Sequence, residues 1–300
     1  IWGRGELARL RSCLAEDNWS RGKSIVDFER AFADFCGCRH ALLVNSGTSA
    51  LVLGLRALGI GPGDEIIVPG LTWPSTALAV LECGATAVII DVEENTCCIS
   101  PECVIDNITP RTKAIIAVHL YNSSADIEKL IKVARDANLF LMEDAAQAHG
   151  CKLLDKCLGT FGDIGIFSFQ EKKLVTCGEG GCLVTDDDSL FGQAYALRDH
   201  GARCRETDID RYGPHSLISS LNAAMLLEQL ARLPEILRKE EKAGIYLTER
   251  LNQVKGVTCL ERRRAITTQT YYNFCLRLTN SNTRSRSETV RKELTRLLGV

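Results

Sequence analysis

The sequence predicts an α/β protein with a mostly parallel central sheet and helices on both faces, followed by a smaller, truncated α+β C-terminal domain. Three observations carry this. Short apolar runs alternate with helix-period segments up to residue 197, and such alternation produces a parallel sheet whose crossovers are helices. Runs such as 164–169 are apolar almost throughout and have glycines nearby, as in strands buried on both faces. Beyond Gly213 the pattern changes to one long helical segment and two more strands. A chain of 300 residues with 45% hydrophobic content can bury the core that such a sheet needs.

Residues 6–16 and 26–35 carry helix-period apolar positions, separated by the loop Asn18-Trp19-Ser20-Arg21-Gly22. Strand 40–45, helix 49–58, strand 65–69, helix 75–82 and strand 85–92 follow. Then come a short helix at 101–108, strand 113–119, helix 125–137 and strand 139–143. After the 164–169 strand the pattern gives one more strand at 181–185 and a helix at 189–197. Residues 220–250 read as helix, with Leu226, Leu230, Leu233 and Leu237 on one side and Pro234 as a kink. Strands at 257–260 and 271–278, the second with Tyr272, Phe274, Leu276 and Leu278 on one face, precede a helix at 287–298. Two strands and a helix close a layer poorly, so the expected division is a large domain at 1–235 and a partial small one at 236–300. The chain opens on Ile1 rather than Met, and part of the N-terminus is expected to be missing.

Charge and cysteine usage exclude several function classes. The balance of 36 Lys plus Arg against 38 Asp plus Glu gives −2, so no whole-chain field points to nucleic acid or a membrane surface. Arg262, Arg263 and Arg264 form the sharpest basic run and read as a solvated loop. The fourteen cysteines are scattered through apolar segments with no C-x-x-C pair, so no metal centre is expected and most thiols should be small buried hydrophobes. With no signal peptide and no long apolar span, a reducing, cytoplasmic compartment is expected.

In open α/β sheets, ligands bind beyond the carboxyl ends of the strands. The polar residues there are Asn45-Ser46-Gly47-Thr48, Thr72-Trp73, His119, Glu143-Asp144 with Gln147, and Ser168 with Lys173, and they are expected to converge on one cleft. Each has a plain alternative. Ser46 to Thr48 could be an ordinary N-cap, Trp73 a core aromatic, Asp144 a helix cap, and Lys172 and Lys173 two solvated loop lysines. His119 reads best as a hydrogen-bonded core residue. Taken together, a phosphate cradle at a helix N-terminus, a flat aromatic, a carboxylate and a lysine are what pyridoxal phosphate requires. A dinucleotide fold competes less well, since Gly59-Ile60-Gly61-Pro62-Gly63 lies before a strand and not after one.

The sequence also resembles the DegT/StrS-type sugar and cyclitol aminotransferases. The motifs are N-S-G-T-S-A at 45–50, P-G-L-T-W at 69–73, E-D-A-A-Q-A-H-G at 143–150, F-S-F-Q at 167–170 and K-L-V-T-C-G-E-G-G at 173–181, within a match over 18–278. The resemblance implies a type I fold of pyridoxal-phosphate enzymes. It makes Lys173, five residues before Gly178, the Schiff-base lysine in preference to Lys172. It pairs Asp144 with the pyridine nitrogen, lays Gln147 near the ring's phenolic oxygen, stacks Trp73, and has Gly47, Thr48 and Ser168 hold the phosphate. Lys173, once released, would serve as general base for transfer from Glu or Gln to a keto sugar, often nucleotide-linked, or a keto cyclitol.

The resemblance further implies a homodimer with shared sites. Where the family commonly has G-Y-N-Y-R-M, this chain has Gly213-Pro214-His215-Ser216-Leu217-Ile218. His215 thus takes the place of the asparagine that reaches the partner's phosphate, and it can still donate a hydrogen bond. Leu217 cannot replace the arginine. Other readings are a dehydratase, whose known variant has histidine where Lys173 stands here, an aminohydroxybenzoate-synthase-like lyase, and a non-catalytic paralogue.

Overall fold

The computed structural model describes residues 3–16, 18–201, 212–278, 288 and 292. Helices α1 (Arg4–Leu14) and α2 (Lys23–Cys36) precede the sheet. Then follow β1 (His40–Val44), α3 (Gly47–Ala57), β2 (Glu65–Pro69), α4 (Ser75–Glu82), β3 (Thr86–Ile90), α5 (Pro101–Asp106), β4 (Thr112–Val118), α6 (Ile127–Asp136) and β5 (Phe140–Asp144). Two very short strands, β6 (Lys152–Leu153) and β7 (Lys156–Cys157), lead to β8 (Ile164–Ser168), β9 (Gly181–Thr185) and α7 (Asp188–Arg198). Beyond these lie α8 (Ser220–Leu251), β10 (Val257–Cys259), β11 (Ile266–Thr268) and β12 (Leu276–Leu278).

The main sheet has the order β1-β9-β8-β5-β4-β2-β3. β2, β3, β4, β5 and β8 pair in parallel, whereas β9 is antiparallel to both β8 and β1. No helix intervenes between β8 and β9, and without a crossover the chain can only return beside β8 in the opposite direction. The sheet is covered on both faces. Phe167 of β8 meets Phe32 of α2 edge-on at 5.0 Å, while the next residue, Ser168, faces Gly47 of α3. Successive side chains of a strand point to opposite faces, so α2 and α3 lie on opposite sides.

At the C-terminal end the sequence reading needs correction. The strand expected over 271–278 is reduced to β12, which pairs with β10. The pairing of β11 with β6, itself paired with β7, went unforeseen because two- and three-residue strands carry no periodicity. α8 runs unbroken through Pro234, with Leu226, Leu230, Leu233 and Leu237 all buried. The helix expected at 287–298 lies outside the described residues except for Glu288 and Lys292. The basic run is a solvated loop only at exposed Arg264. Arg263 pairs with Glu93, reaches Asp126 at 3.3 Å and donates to the Ser124 carbonyl at 2.9 Å, and Arg262 pairs with Glu241 at 3.0 Å.

Glu143, expected in the cleft, faces away from it. It accepts hydrogen bonds from the amides of Gly159 at 2.9 Å, Phe161 at 2.6 Å and Gly162 at 2.8 Å, and contacts His119 Nε2 at 3.0 Å. His119 accepts at Nδ1 from the Ala125 amide, and so is the hydrogen-bonded core residue of the preferred reading. Glu143 therefore fixes the turn that launches β8. Its burial pushes the carboxyl pKa up, but His119 and the Gly159 and Gly162 amides outweigh burial and hold it below its ordinary value. Glu143→Gln, which turns an acceptor toward these donors into an amide, is expected to cost about 3 kcal/mol at neutral pH, read by urea unfolding. The depressed carboxyl stabilises fully above its ordinary pKa of 4.5 and loses that contribution as pH falls through the folded value. The wild-type and variant stability curves should therefore converge in acid.

Candidate active site

The sheet register gathers the residues expected to cradle a phosphate. Gly181 of β9 pairs with Val44 of β1 on one side and with Ser168 of β8 on the other. The chain leaves β1 and turns at once into α3, whose N-cap Ser46 accepts from the Ser49 amide at 3.0 Å. A Cβ on Gly47 would stand 2.9 Å from that of Ser168, and one on Gly181 would stand 2.3 Å from the Ser46 carbonyl oxygen and 2.5 Å from the Gly47 nitrogen. Both positions require glycine for close approach. The N-terminus of α3 consequently faces Ser168, with first-turn amides that have no acceptor within the helix and favour an anion. Thr48 Oγ1 donates to Ser75 Oγ at 2.9 Å, which brings the first turn of α4 to the same place.

Asp144 is on the face opposite Glu143. Its Oδ1 accepts from the Ala146 amide and its Oδ2 from Thr76 Oγ1, each at 3.1 Å, and Thr76 is 2.9 Å from Thr72 Oγ1. The carboxyl is buried, and burial pushes its pKa up against the Ala146 amide, the Lys173 charge and the Thr76 hydroxyl. The Ala146 contact does resemble a cap, but no described helix starts there. Burying this carboxylate beside a lysine serves electrostatics better than local capping.

Lys172 is exposed and Lys173 half-buried, so the structure separates two residues that composition cannot. Burial pushes the Lys173 amine down from its ordinary value, while Asp144 draws it back up. The following turn is held by Asn222 of α8, whose Nδ2 donates to the Cys177 carbonyl at 2.9 Å. Gln147 accepts at Oε1 from the Tyr121 amide at 2.9 Å. Trp73 is 73% exposed, which excludes the core-aromatic alternative and leaves its ring free to cover a ligand.

Four residues escaped the sequence reading. Thr76 is wholly buried against Asp144. Ser75 joins Thr48. Tyr121 takes a left-handed φ of 58° where its amide meets Gln147. Tyr272 places its ring centre 4.6 Å from Lys173 Nζ. The run Thr72 to Thr76, polar at a helix start, signalled the first two, but long-range folding alone brings Tyr272 to the lysine.

The 213–218 loop is bonded within its own chain. The Asn45 amide donates to the Ser216 carbonyl at 3.0 Å, and Ser216 donates to the Arg198 carbonyl at 2.9 Å. Residues 199 and 215 form a β-bridge, and the His215 side chain remains exposed. Among the described residues, Asp199, His200 and His215 are the group whose donor atoms, all within 4.8 Å of one another, could meet at one metal ion. The Asp199 carboxylate is already engaged by Arg21 at 2.5 Å.

Residues 2–298 match the DegT/DnrJ/EryC1/StrS aminotransferase family. The L-glutamine:scyllo-inosose aminotransferase of Streptomyces griseus is 39% identical over 294 residues, which are 92% of this chain and 69% of that protein. The GDP-perosamine synthase of Caulobacter vibrioides is 42% identical over 77% of this chain and 63% of its own. The chain thus spans roughly two thirds of the length of these relatives. Among solved structures, 3-amino-5-hydroxybenzoic acid synthase superposes with a TM-score of 0.94 at 33% identity, over 99% of this chain and 78% of that one. A GDP-4-keto-6-deoxymannose-3-dehydratase holding a trapped PLP-glutamate geminal diamine superposes with a TM-score of 0.89 at 25% identity, over 100% and 83%. The sheet and the site motifs therefore place the chain in a known group: it belongs to the DegT/DnrJ/EryC1/StrS aminotransferase family and has the type I fold of pyridoxal-phosphate enzymes.

Proposed function

We propose that this chain is a pyridoxal-phosphate-dependent aminotransferase that moves an amino group from Glu or Gln to a keto sugar or keto cyclitol. The observation that carries it is the placement of buried Asp144 beside half-buried Lys173, next to the glycine-lined N-terminus of α3. These residues fit the cofactor. The Asp144 carboxyl has been taken out of water with two hydrogen-bond donors, so a protonated pyridine nitrogen would supply the charge that such a group needs. The Gly47 surface beside Ser168 would be filled by a Cβ, and the exposed Trp73 indole can cover a planar ring. When bound, the cofactor supplies an aldehyde and a ring that accepts electrons.

The roles of the side chains follow. Lys173 Nζ would be the group that bonds the cofactor's aldehyde carbon. As a free amine, Nζ would be placed to take a proton from the donor's α-carbon and to return one to the acceptor's former carbonyl carbon. Asp144 would keep the ring nitrogen protonated, Gln147 would lie near the phenolic oxygen, Trp73 would stack, and Gly47, Thr48 and Ser168 would hold the phosphate. The acceptor class is supported by relatives named for scyllo-inosose and perosamine, and the glutamine donor by the name of the first. Lys173 in the nucleophile's position favours transamination over the dehydratase reading.

The working form is proposed to be a homodimer in which exposed His215 reaches the partner's phosphate. The division at 235/236 is proposed as one of roles, with the cradle, Asp144 and Lys173 before it and Tyr272 after it. No helix among the described residues is long and apolar enough to cross a membrane. The free thiols of all the described cysteines support a reducing, cytoplasmic setting.

Three experiments test this reading. Lys173→Ala should abolish borohydride trapping of the cofactor and the accompanying absorbance, while Lys172→Ala keeps both. Cofactor mapped by mass spectrometry to a Lys172 peptide would sink the assignment. Asp144→Asn should keep the cofactor and lose turnover by about a hundredfold, on the order of 3 kcal/mol in the barrier, measured as amine product from Gln and a keto cyclitol. Near-normal turnover would reduce Asp144 to a local cap. For the shared site, mixing Lys173→Ala and His215→Ala chains, each impaired alone, should restore activity, because one hybrid site carries neither lesion. A verified heterodimer without recovery would rule the shared site out.

A further inference from the structure

Tyr272 enters the site from the C-terminal unit, on the short segment between β11 and β12, and its position is built on both sides. Before it, Thr270 is buried and donates through Oγ1 to the His149 carbonyl at 2.9 Å, and the Gln269 amide donates to Glu241 of α8 at 2.9 Å. Immediately before it, the Tyr271 ring packs so closely on Gly244 of α8 that a Cβ there would stand 2.4 Å from it. After it, the Cys275 amide donates to Asn122 Oδ1 at 2.9 Å. His149 and Asn122 belong to the loops that follow β5 and β4, the same strand ends that carry the site. Four anchors in seven residues hold one aromatic ring with its centre 4.6 Å from Lys173 Nζ.

An ammonium within about 6 Å of an aromatic ring centre is attracted by the ring's negative face, more strongly where water is excluded. Among the described residues, three titratable groups bear on the Lys173 amine. Asp144 is at the end of β5, His149 follows in the next loop, and Tyr272 comes from the C-terminal unit. His149 is buried against Phe167 and Phe169, with Nε2 lacking a hydrogen-bond partner, and burial, with Lys173 adding to it, pushes its pKa down to about 3. It is neutral and offers no counter-charge. Asp144 attracts the ammonium from one side, and the Tyr272 ring offers the second favourable surface.

We propose that Tyr272 is a positioning residue whose ring face holds Lys173 Nζ in the site when it is not covalently engaged, most firmly as the ammonium it becomes on taking a proton. This rests on Lys173 being the cofactor lysine, and it makes the site depend on docking of the C-terminal unit. The ring also stabilises the protonated amine, so removing it should lower the amine's titration midpoint and raise its reactivity at a fixed pH below that midpoint.

The test is competitive acetylation of the full chain, freed of cofactor, with trace acetic anhydride across a pH series, read at Lys173 by peptide mass spectrometry with exposed Lys172 as the internal control. Tyr272→Leu should lower the Lys173 midpoint by about half to one pH unit, a roughly three- to tenfold gain in reactivity at fixed pH, with Lys172 unmoved. Tyr272→Phe, which keeps the ring, should retain the wild-type midpoint. In the loaded enzyme, Tyr272→Leu should lower kcat with little change in KM, and Tyr272→Phe should restore it. If Tyr272→Leu fails to fold, Thr270→Val removes one anchor without touching the ring and should give a smaller shift of the same sign. Coincident midpoints in wild type and the folded variant would overturn the proposal, as would a Phe variant that behaves like Leu. A shifted midpoint in a chain without transaminase activity would leave the positioning role standing and remove the functional reading instead.

Discussion

The rest of the structure depends on one alternation, at the carboxyl end of β5. Glu143 and Asp144 are adjacent, and a strand must send their side chains to opposite faces. One carboxylate is spent on architecture, gathering three amides of the 159–162 turn and His119, and so aims β8. The other faces α4 and Lys173 from the opposite side of the sheet. A slip of one residue in the register of β5 would exchange the two environments. Asp144 would then leave Thr76 and the lysine, and Glu143 would leave the turn that delivers Ser168.

Close backbone approach is the second constraint. Gly181 lets the antiparallel strand β9 lie directly against the start of α3, and Gly47 lets that start face Ser168. The cradle is therefore made mainly of main chain held in a sheet, and its geometry does not wait on the rotamers of long side chains. The electrostatics follow the same economy. Asp144 and Lys173 are both partly or wholly removed from water, and each opposes the shift that burial imposes on the other.

Residues beyond α8 reach the rest of the molecule through specific contacts. Arg263 reaches Glu93, Asp126 and the Ser124 carbonyl, β11 adds to β6, and Thr270 bonds to the loop after β5. A basic run that could have been a solvated surface is in large part a clamp. Through it, residues beyond α8 acquire a place beside the lysine.

The sequence by itself determined the strand–helix order, the parallel character of the sheet, the buried stripe of α8 and the identity of the chemical groups at the strand ends. All of these are written in local periodicity and in the glycine-rich turns. The preference for Lys173 over Lys172 rests, in the sequence, on a spacing that only the family likeness makes meaningful. Tertiary structure decided what has no local signal. Glu143 and Asp144 look alike in sequence, yet only packing against the 159–162 turn and against Thr76 tells the structural carboxylate from the one beside the lysine. The 213–218 loop reads as an idle polar stretch until Ser216 is seen bonded to Asn45 and Arg198. Tyr272 lies about a hundred residues from Lys173 along the chain, and no periodicity links two positions whose contact is made by a long helix and a returning strand.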